Sequence, residues 1–323
     1  MARSFAFVFL LLTATATHLA LGQAAYPAKP VKIVVPVTTG GPSDLVARIV
    51  ADKLAAALGK PVIIENVPGA SQSIGAGAVA KADPDGYTLL QAAANMAINP
   101  ILMPDLRYDT VKDFAPVSLT HLTPYVFAVS PQSPVKTLAE LVKHVRENPG
   151  KITYGTTGQG SPQQLATLLF AQALALGEMT EVQYKGSSAA HPDLISNRIT
   201  FMIDPLAAGS GHIRAGTLRA LAVTTPQRTD AAPGVPTMKE AGLGDFELVL
   251  YTGVLGPRGM PAPVVERVNA EFAKAVQLPE IRQVYAKVGA APAASTPDAF
   301  AAHIRSEMAK LGKLVELSGA RID

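Results

Sequence analysis

The chain has no cysteine and no tryptophan, only 6% aromatic and 16% charged residues, and no run of basic side chains. Without cysteine there can be no disulfide, thiolate zinc site, iron–sulfur ligation or Cys nucleophile. The 28 Lys and Arg stand against 25 Asp and Glu, a net charge of +3 spread along the chain. No electrostatic footprint for nucleic acid or an anionic membrane is visible. What is present is a 48% hydrophobic chain of 323 residues, too apolar for disorder and long enough for two ordinary domains.

The first segment differs from the rest. Met1-Ala2-Arg3 carries a positive charge, Phe5 through Ala16 is a short apolar run, and Gly22-Gln23-Ala24 is a small-x-small cleavage site. This reads as a secretory signal peptide, residues 1–24. The run breaks at Thr13, Thr15, Thr17 and His18, short of the roughly 20 apolar residues a span needs. A lipid anchor would need a Cys at the cleavage point. The expectation is a soluble, monomeric protein of a bacterial periplasm.

In the mature chain, Val- and Ile-rich runs alternate with turns and helical patterns. Strands are expected at Val31–Val35, Val62–Glu65, Tyr87–Leu90, Tyr125–Val129 and Lys151–Tyr154. Others follow at Glu181–Tyr184, Ile199–Ile203, Arg219–Thr224 and Phe246–Tyr251. Runs apolar on both faces suit buried parallel strands, and the alternation argues α/β. Asp44–Leu58 places Leu45, Val46, Ile49, Leu54 and Leu58 on one helix face, and Pro263–Val276 does so with Val264, Val268, Phe272 and Val276.

Helix starts are well marked. Thr137-Leu138-Ala139-Glu140 is a capping box, Gly41-Pro42 puts Pro at a first helical position, and Ser161-Pro162-Gln163-Gln164 combines a cap, Pro at N1 and Gln at N3. The last two follow Gly-containing turns straight out of strands, Thr38-Thr39-Gly40-Gly41 and Gly155-Thr156-Thr157-Gly158-Gln159-Gly160. A helix start at the carboxyl end of a parallel strand is where open α/β sheets bind anions.

Catalytic and cofactor motifs are absent. There is no Walker A motif and no Gly-x-Ser-x-Gly elbow; Gly158-x-Gly160 has Gln163 where a dinucleotide fingerprint needs Gly. Ser133-x-x-Lys136 lacks its companion motifs. The six His include no i, i+4 pair, so no metal and no cofactor is expected. His191 reads as a solvated surface residue. Asp204, at the end of an apolar strand, reads as a loop organiser accepting backbone N–H bonds.

Neither Thr38–Asp44 nor Tyr154–Gln164 contains Lys or Arg. A bound anion would rely on backbone N–H groups, hydroxyls and helix ends. One helix end contributes about 0.3–1 kcal/mol, while burying a carboxylate costs several. Charge-assisted hydrogen bonds of roughly 1.5–3 kcal/mol each must therefore converge from more than one loop. Two domains closing on a small carboxylate meet that requirement.

At this point the chain resembles the extracytoplasmic solute receptors of tripartite tricarboxylate transporters, the Bug family. The matching residues run in order through the mature chain: Tyr26-Pro27-Ala28-Lys29-Pro30, Val34-Val35-Pro36 into Gly40-Gly41 with Asp44 and Ala47-Arg48, and Leu58-Gly59-Lys60-Pro61-Val62 to Glu65-Asn66. They continue through Pro68-Gly69-Ala70, Ile74-Gly75-Ala76, Asp83-Pro84-Asp85-Gly86-Tyr87, Tyr154-Gly155, Tyr184-Lys185-Gly186-Ser187, Gly216-Thr217-Leu218-Arg219 and Pro236-Thr237-Met238.

The resemblance implies a two-domain, type 2 periplasmic-binding-protein fold that closes on a small carboxylate without catalysis and delivers it to membrane permease subunits. Domain one would take 25–125 and 227–323, and domain two 126–226. The ligand residues it implies are Thr38, Thr39, Gly40, Gly41 and Asp44 in one loop and Ser71, Gln72 and Ser73 in a second. Further loops would supply Thr156, Thr157, Gly158, Gly160, Ser161 and Gln164, then Lys185, Gly186 and Ser187, and lastly Asp204. The chain departs from the pattern at Val37-Thr38-Thr39, at Ser71-Gln72-Ser73 in place of a Gly-rich loop, and at Gln164 in place of a frequent His. More hydroxyl and amide groups fit a ligand with several polar ends, a dicarboxylate or an aromatic carboxylate. A sensory binding protein reporting to a membrane kinase is the alternative, because it would use the same closing cleft.

Overall fold

A computed structural model describes residues 26–103, 105–158, 161–244 and 249–318. The expected leader lies outside them. Among the described residues no helix is long and apolar enough to cross a membrane.

The chain opens as strand and helix in turn: β1 (Val31–Val35), α1 (Pro42–Leu58), β2 (Val62–Asn66), a 3-10 turn (Ala70–Gln72), α2 (Ser73–Ala80), β3 (Thr88–Ala93) and α3 (Asn95–Leu102). Ile33, Val34, Val35, Leu89 and Leu90 are buried, and burial on both faces suits the parallel pairing of β1 with both β2 and β3. In α1 the buried stripe is Val46, Ala47, Val50 and Leu54. Leu45, expected with them, is 50% exposed, because it shares its face with exposed Asp52 and Ala56.

β4 (Phe114–Val129) is far longer than the strand expected from Tyr125. Pro116, Ser118, Thr120, His121 and Pro124 mask its first part in the sequence, and the register shifts at Pro116/Ser118 and Leu119/His121 absorb what an unbroken ladder would not tolerate.

The chain then forms α4 (Leu138–Glu147), β5 (Thr153–Thr156), α5 (Pro162–Ala173), β6 (Thr180–Gln183), α6 (Ser187–Ile195), β7 (Phe201–Pro205), α7 (Leu206–Arg214) and β8 (Arg219–Val223). It closes with β9 (Val249–Pro257), α8 (Ala262–Ala275), α9 (Pro279–Lys287), β10 (Ala291–Pro292) and α10 (Pro297–Ser318). α4 starts on its expected cap. Thr137 accepts from the Glu140 N–H at 3.2 Å, and the Glu140 carboxylate accepts from the Lys136 N–H at 2.6 Å instead of closing the box on Thr137. Such a cap is worth about 1 kcal/mol.

The strands form two halves sharing β4. In the first, the order is β2-β1-β3-β9-β4, with β10 also on β4; in the second it is β6-β5-β7-β4, with β8 also on β4. Phe114–Pro124 pairs with β9, and Tyr125–Val129 with β7 and β8. The parallel pairing expected of the buried runs holds for β1, β2 and β3 and for β5, β6 and β7, and the sheet as a whole is mixed. Three parallel strands in each half meet antiparallel strands, because β4 crosses from one half to the other and β9 runs back along it.

Leu90, Met96, Leu102, Tyr108 and Phe300 pack on one face of the first half, and Leu54, Phe272 and Tyr285 on the other. Phe127, Leu141, Phe170, Phe201 and Ile203 fill the second half. Residues 231–243 pack with the second half: Ala231, Ala232 and Val235 join the Val126 cluster, Thr237 bridges Val223, and Met238 is buried among the Phe127 cluster.

Candidate functional site

The carboxyl ends of β3 and β7 and the start of α5 face one another across a cleft of about 430 Å³. Its floor is His121, Thr123 and Tyr125 of β4 with Leu250, Tyr251 and Thr252 of β9; one wall is Ser43, Ser71, Gln72, Asn95, Ile98 and Leu102, and the other is Ser161, Pro162 and Pro205. No Lys, Arg, Asp or Glu is among these described lining residues. A cavity of about 20 Å³ beside it, also touching His121, has room for no more than a water.

Of the expected ligand residues, Ser71, Gln72 and Ser161 line the cleft. Of the others, several are hydrogen-bonded to side chains outside the expected set. Asp44 is buried; its carboxylate accepts from the Gly40 N–H (2.9 Å), from Arg48 Nε and Nη2 (both 3.0 Å) and from Asn66 Nδ2 (2.8 Å). The Arg48 hydrogen bond, then that from Gly40, holds its carboxyl down at about 2. Thr39 donates to Asn66 Oδ1 at 3.0 Å. Thr38, Gly40 and Gly41 belong to this exposed to half-buried turn, which Asp44 braces from inside.

Ala70, Ser71 and Gln72 have φ of 43°, 49° and 72°, three successive non-glycine residues in left-handed conformation at about 1–2 kcal/mol each. Asn95 Nδ2 donates to Ser71 Oγ at 2.8 Å and Asn99 Nδ2 to the Ser71 carbonyl at 2.9 Å, and these bonds hold the strained turn against the cleft. Glycines would adopt these angles freely, which accounts for the Gly-rich loop that this sequence replaces. Ser73 opens α2, half-buried.

In the second half, Glu181 of β6 gathers the loop. Thr156 donates to Glu181 Oε1 at 2.6 Å and Gln164 Nε2 to Oε2 at 2.9 Å. Thr157 donates to Gln163 Oε1 at 3.0 Å. Gly158 has φ +114° with open space where a Cβ would stand, Ser161 accepts from the Gln164 N–H at 3.3 Å, and Gly160 lies outside the described residues. Two of the polar groups read as ligand contacts, Thr156 and Gln164, are therefore tied to a carboxylate.

Asp204, at the end of β7, is fully buried. It accepts from Ser187 Oγ at 2.5 Å and faces His191 Nε2 at 2.9 Å, so its partners are side chains of α6 and not the backbone N–H groups expected. His191, expected in solvent, is buried, its ring packed on His212 with centroids 4.7 Å apart. α6 packs back on the end of the strand that follows it, and this contact between neighbouring elements reverses both readings. Lys185 is exposed; Gly186 precedes α6 at φ +138°.

The sequence reading missed Asn66, Asn95, Asn99, Glu181 and His121. Only Asn66 had a signal, its place beside Glu65 at a strand end. His121 is buried, and burial pushes its imidazole down to about 4. Among the described residues no group of three or more His, Asp or Glu could hold a metal.

The chain matches known proteins over most of its length. Residues 46–320 match TctC, the tripartite tricarboxylate transporter family receptor. A UPF0065 protein of Agrobacterium vitis, from the TAR-I ttuE-ttuC' intergenic region, is 38% identical over 317 residues, covering 97% of this chain and 91% of its own. Among solved structures, Rpa4515 of R. palustris with adipate is similar at 32% identity and TM-score 0.74, covering 92% of this chain and 100% of its own. MatC (Rpa3494) from Rhodopseudomonas palustris with bound malate is similar at 31% identity and TM-score 0.68, covering 90% and 100%. The matched family is one of transporter receptors. With a family match over residues 46–320 and a relative 38% identical over 97% of the chain, this protein belongs to the TctC family of tripartite tricarboxylate transporter receptors.

Proposed function

We propose that the cleft captures a small carboxylate in the periplasm, after removal of residues 1–24, and delivers it to membrane permease subunits. The observation that carries this reading is the meeting of Ser71 and Gln72 from one half with Ser161 from the other around one cleft. Several neutral donors converging from two sides can offset the desolvation of one carboxylate, which a single helix end cannot. The adipate of Rpa4515 and the malate of MatC support a carboxylate as the ligand class.

The moving bodies would be the two halves. We place the first crossing at Pro124/Tyr125, where β4 changes partners. We place the second ahead of β9, since Ala231, Ala232, Val235 and Met238 pack with the second half and β9 pairs with the first part of β4, against the 226/227 boundary read from the sequence.

A thermal-shift screen of mono-, di-, tri- and aromatic carboxylates tests the reading. A ligand at 100 times its Kd stabilises by about 2.7 kcal/mol. Shifts given only by sugars, nucleotides or cations would overturn it.

A further inference from the structure

His121 is the one ionisable group among the described lining residues that carries a side-chain nitrogen. It sits on β4 opposite Thr252, which also lines the cleft. Its Nδ1 lies 3.2 Å from Thr120 Oγ1, and Thr120 Oγ1 lies 3.1 Å from the Thr252 carbonyl, to which we assign the one hydroxyl proton because two oxygens this close without a hydrogen between them repel. A carbonyl only accepts and a hydroxyl has one proton, so Thr120 can only accept from the ring. Nδ1 therefore carries the hydrogen, and in the neutral imidazole Nε2 keeps a bare lone pair. Nε2 has no protein partner among the described residues, and the ring is held against Tyr285 with centroids 4.9 Å apart. Burial keeps the ring neutral near pH 7. The hydroxyls and amides of the lining, Ser43, Ser71, Gln72, Asn95 and Ser161, can all donate to a carboxylate. His121 alone is bound to accept there, and its lone pair repels a carboxylate oxygen.

We propose that His121 is a specificity-determining residue of the cleft: Nε2 accepts a hydrogen bond from the ligand, so the carboxylate taken here also bears a hydroxyl or N–H donor. This rests on the carboxylate reading above and narrows it. Thr120 is the positioning residue that sets the tautomer.

Calorimetry on the mature chain with matched pairs tests it: succinate against malate, adipate against 2-hydroxyadipate, benzoate against 3- and 4-hydroxybenzoate. In the pair that binds best, the hydroxylated member is expected to be tighter by about tenfold or more. His121→Phe should erase that difference while largely keeping the affinity for the deoxy member, and Thr120→Val should weaken the preference while Thr120→Ser restores it. Nitrogen-15 NMR of the unliganded protein should show a pyridine-type Nε2 for His121, an arm that stands even where a variant fails to fold. Parity within every binding pair, a preference that survives His121→Phe, or a proton on Nε2 would overturn the proposal and leave the receptor reading intact. If no carboxylate binds, both fall.

Discussion

His191 Nε2 lies 2.9 Å from Asp204 Oδ2, with both side chains withdrawn from solvent. The contact ties α6 to the end of β7, and Ser187 on the other carboxylate oxygen adds a second tie from the first turn of the same helix. Asp204→Ala would leave Ser187 and His191 without their acceptor. The expected loss is about 2–4 kcal/mol, one buried unsatisfied group at each partner, read as a lower urea midpoint at unchanged slope. A loss below about 0.5 kcal/mol, the scale of ordinary surface changes, would show that the cluster braces nothing.

Asp44 makes stability depend on acid pH. Its folded value of about 2 lies below the ordinary 3.8, so its contribution is complete above pH 4 and is lost as pH falls toward 2. Wild type and Asp44→Asn should therefore differ in melting temperature most above pH 4 and converge toward pH 2. Parallel curves across that range would contradict the assignment.

Glu181 braces a loop without facing the ligand. Glu181→Ala frees Thr156 and Gln164, and the expected result is an affinity about tenfold weaker, near 1.4 kcal/mol, for whichever carboxylate the screen identifies. The melting temperature should fall little, because Glu181 is only half-buried at the sheet edge. An unchanged affinity would remove the Thr156–Ser161 turn from the site.

Gly289 tests the contact between the halves. It has φ +67°, and a Cβ there would stand 2.4 Å from the Ala207 nitrogen at the start of α7. Gly289→Ala should cost about 1–3 kcal/mol from overpacking alone, measured by urea denaturation, and should shift the scattering radius of the unliganded protein as the two halves move apart. Full stability with an unchanged radius would mean that this approach has slack.

The regular elements were legible where local pattern and tertiary role agree. β1, β2 and β8 fall within a residue of their expected bounds, because apolar runs bounded by Gly, Pro or Thr carry their own signal. The first part of β4 was not legible, since a strand running between two halves is broken by bulges and prolines and has no clean period. The expected β9 begins at Phe246, and 246–248 lie outside the described residues; its far end, with Gly253 and Gly256, reads as a loop until Phe300 is seen packed where a Cβ at Gly253 would stand.

At the candidate site, family resemblance and helix-start chemistry pointed to loops from which Ser71, Gln72 and Ser161 line the cleft, but not to the contacts within those loops. Asn95 and Asn99 hold Ser71, Glu181 holds Thr156 and Gln164, and Asp204 holds Ser187, all through contacts between different elements. Local sequence determined the α/β class, the capped helix starts and a polar chemistry without cysteine, because propensity, capping and composition act within a few residues. Only the tertiary structure decided that Asp44 and Asp204 face inward and that His191 is buried. It also decided that His121 stands on the cleft floor. Hydrogen bonds and burial between distant segments depend on which strands cross, and no local pattern records that.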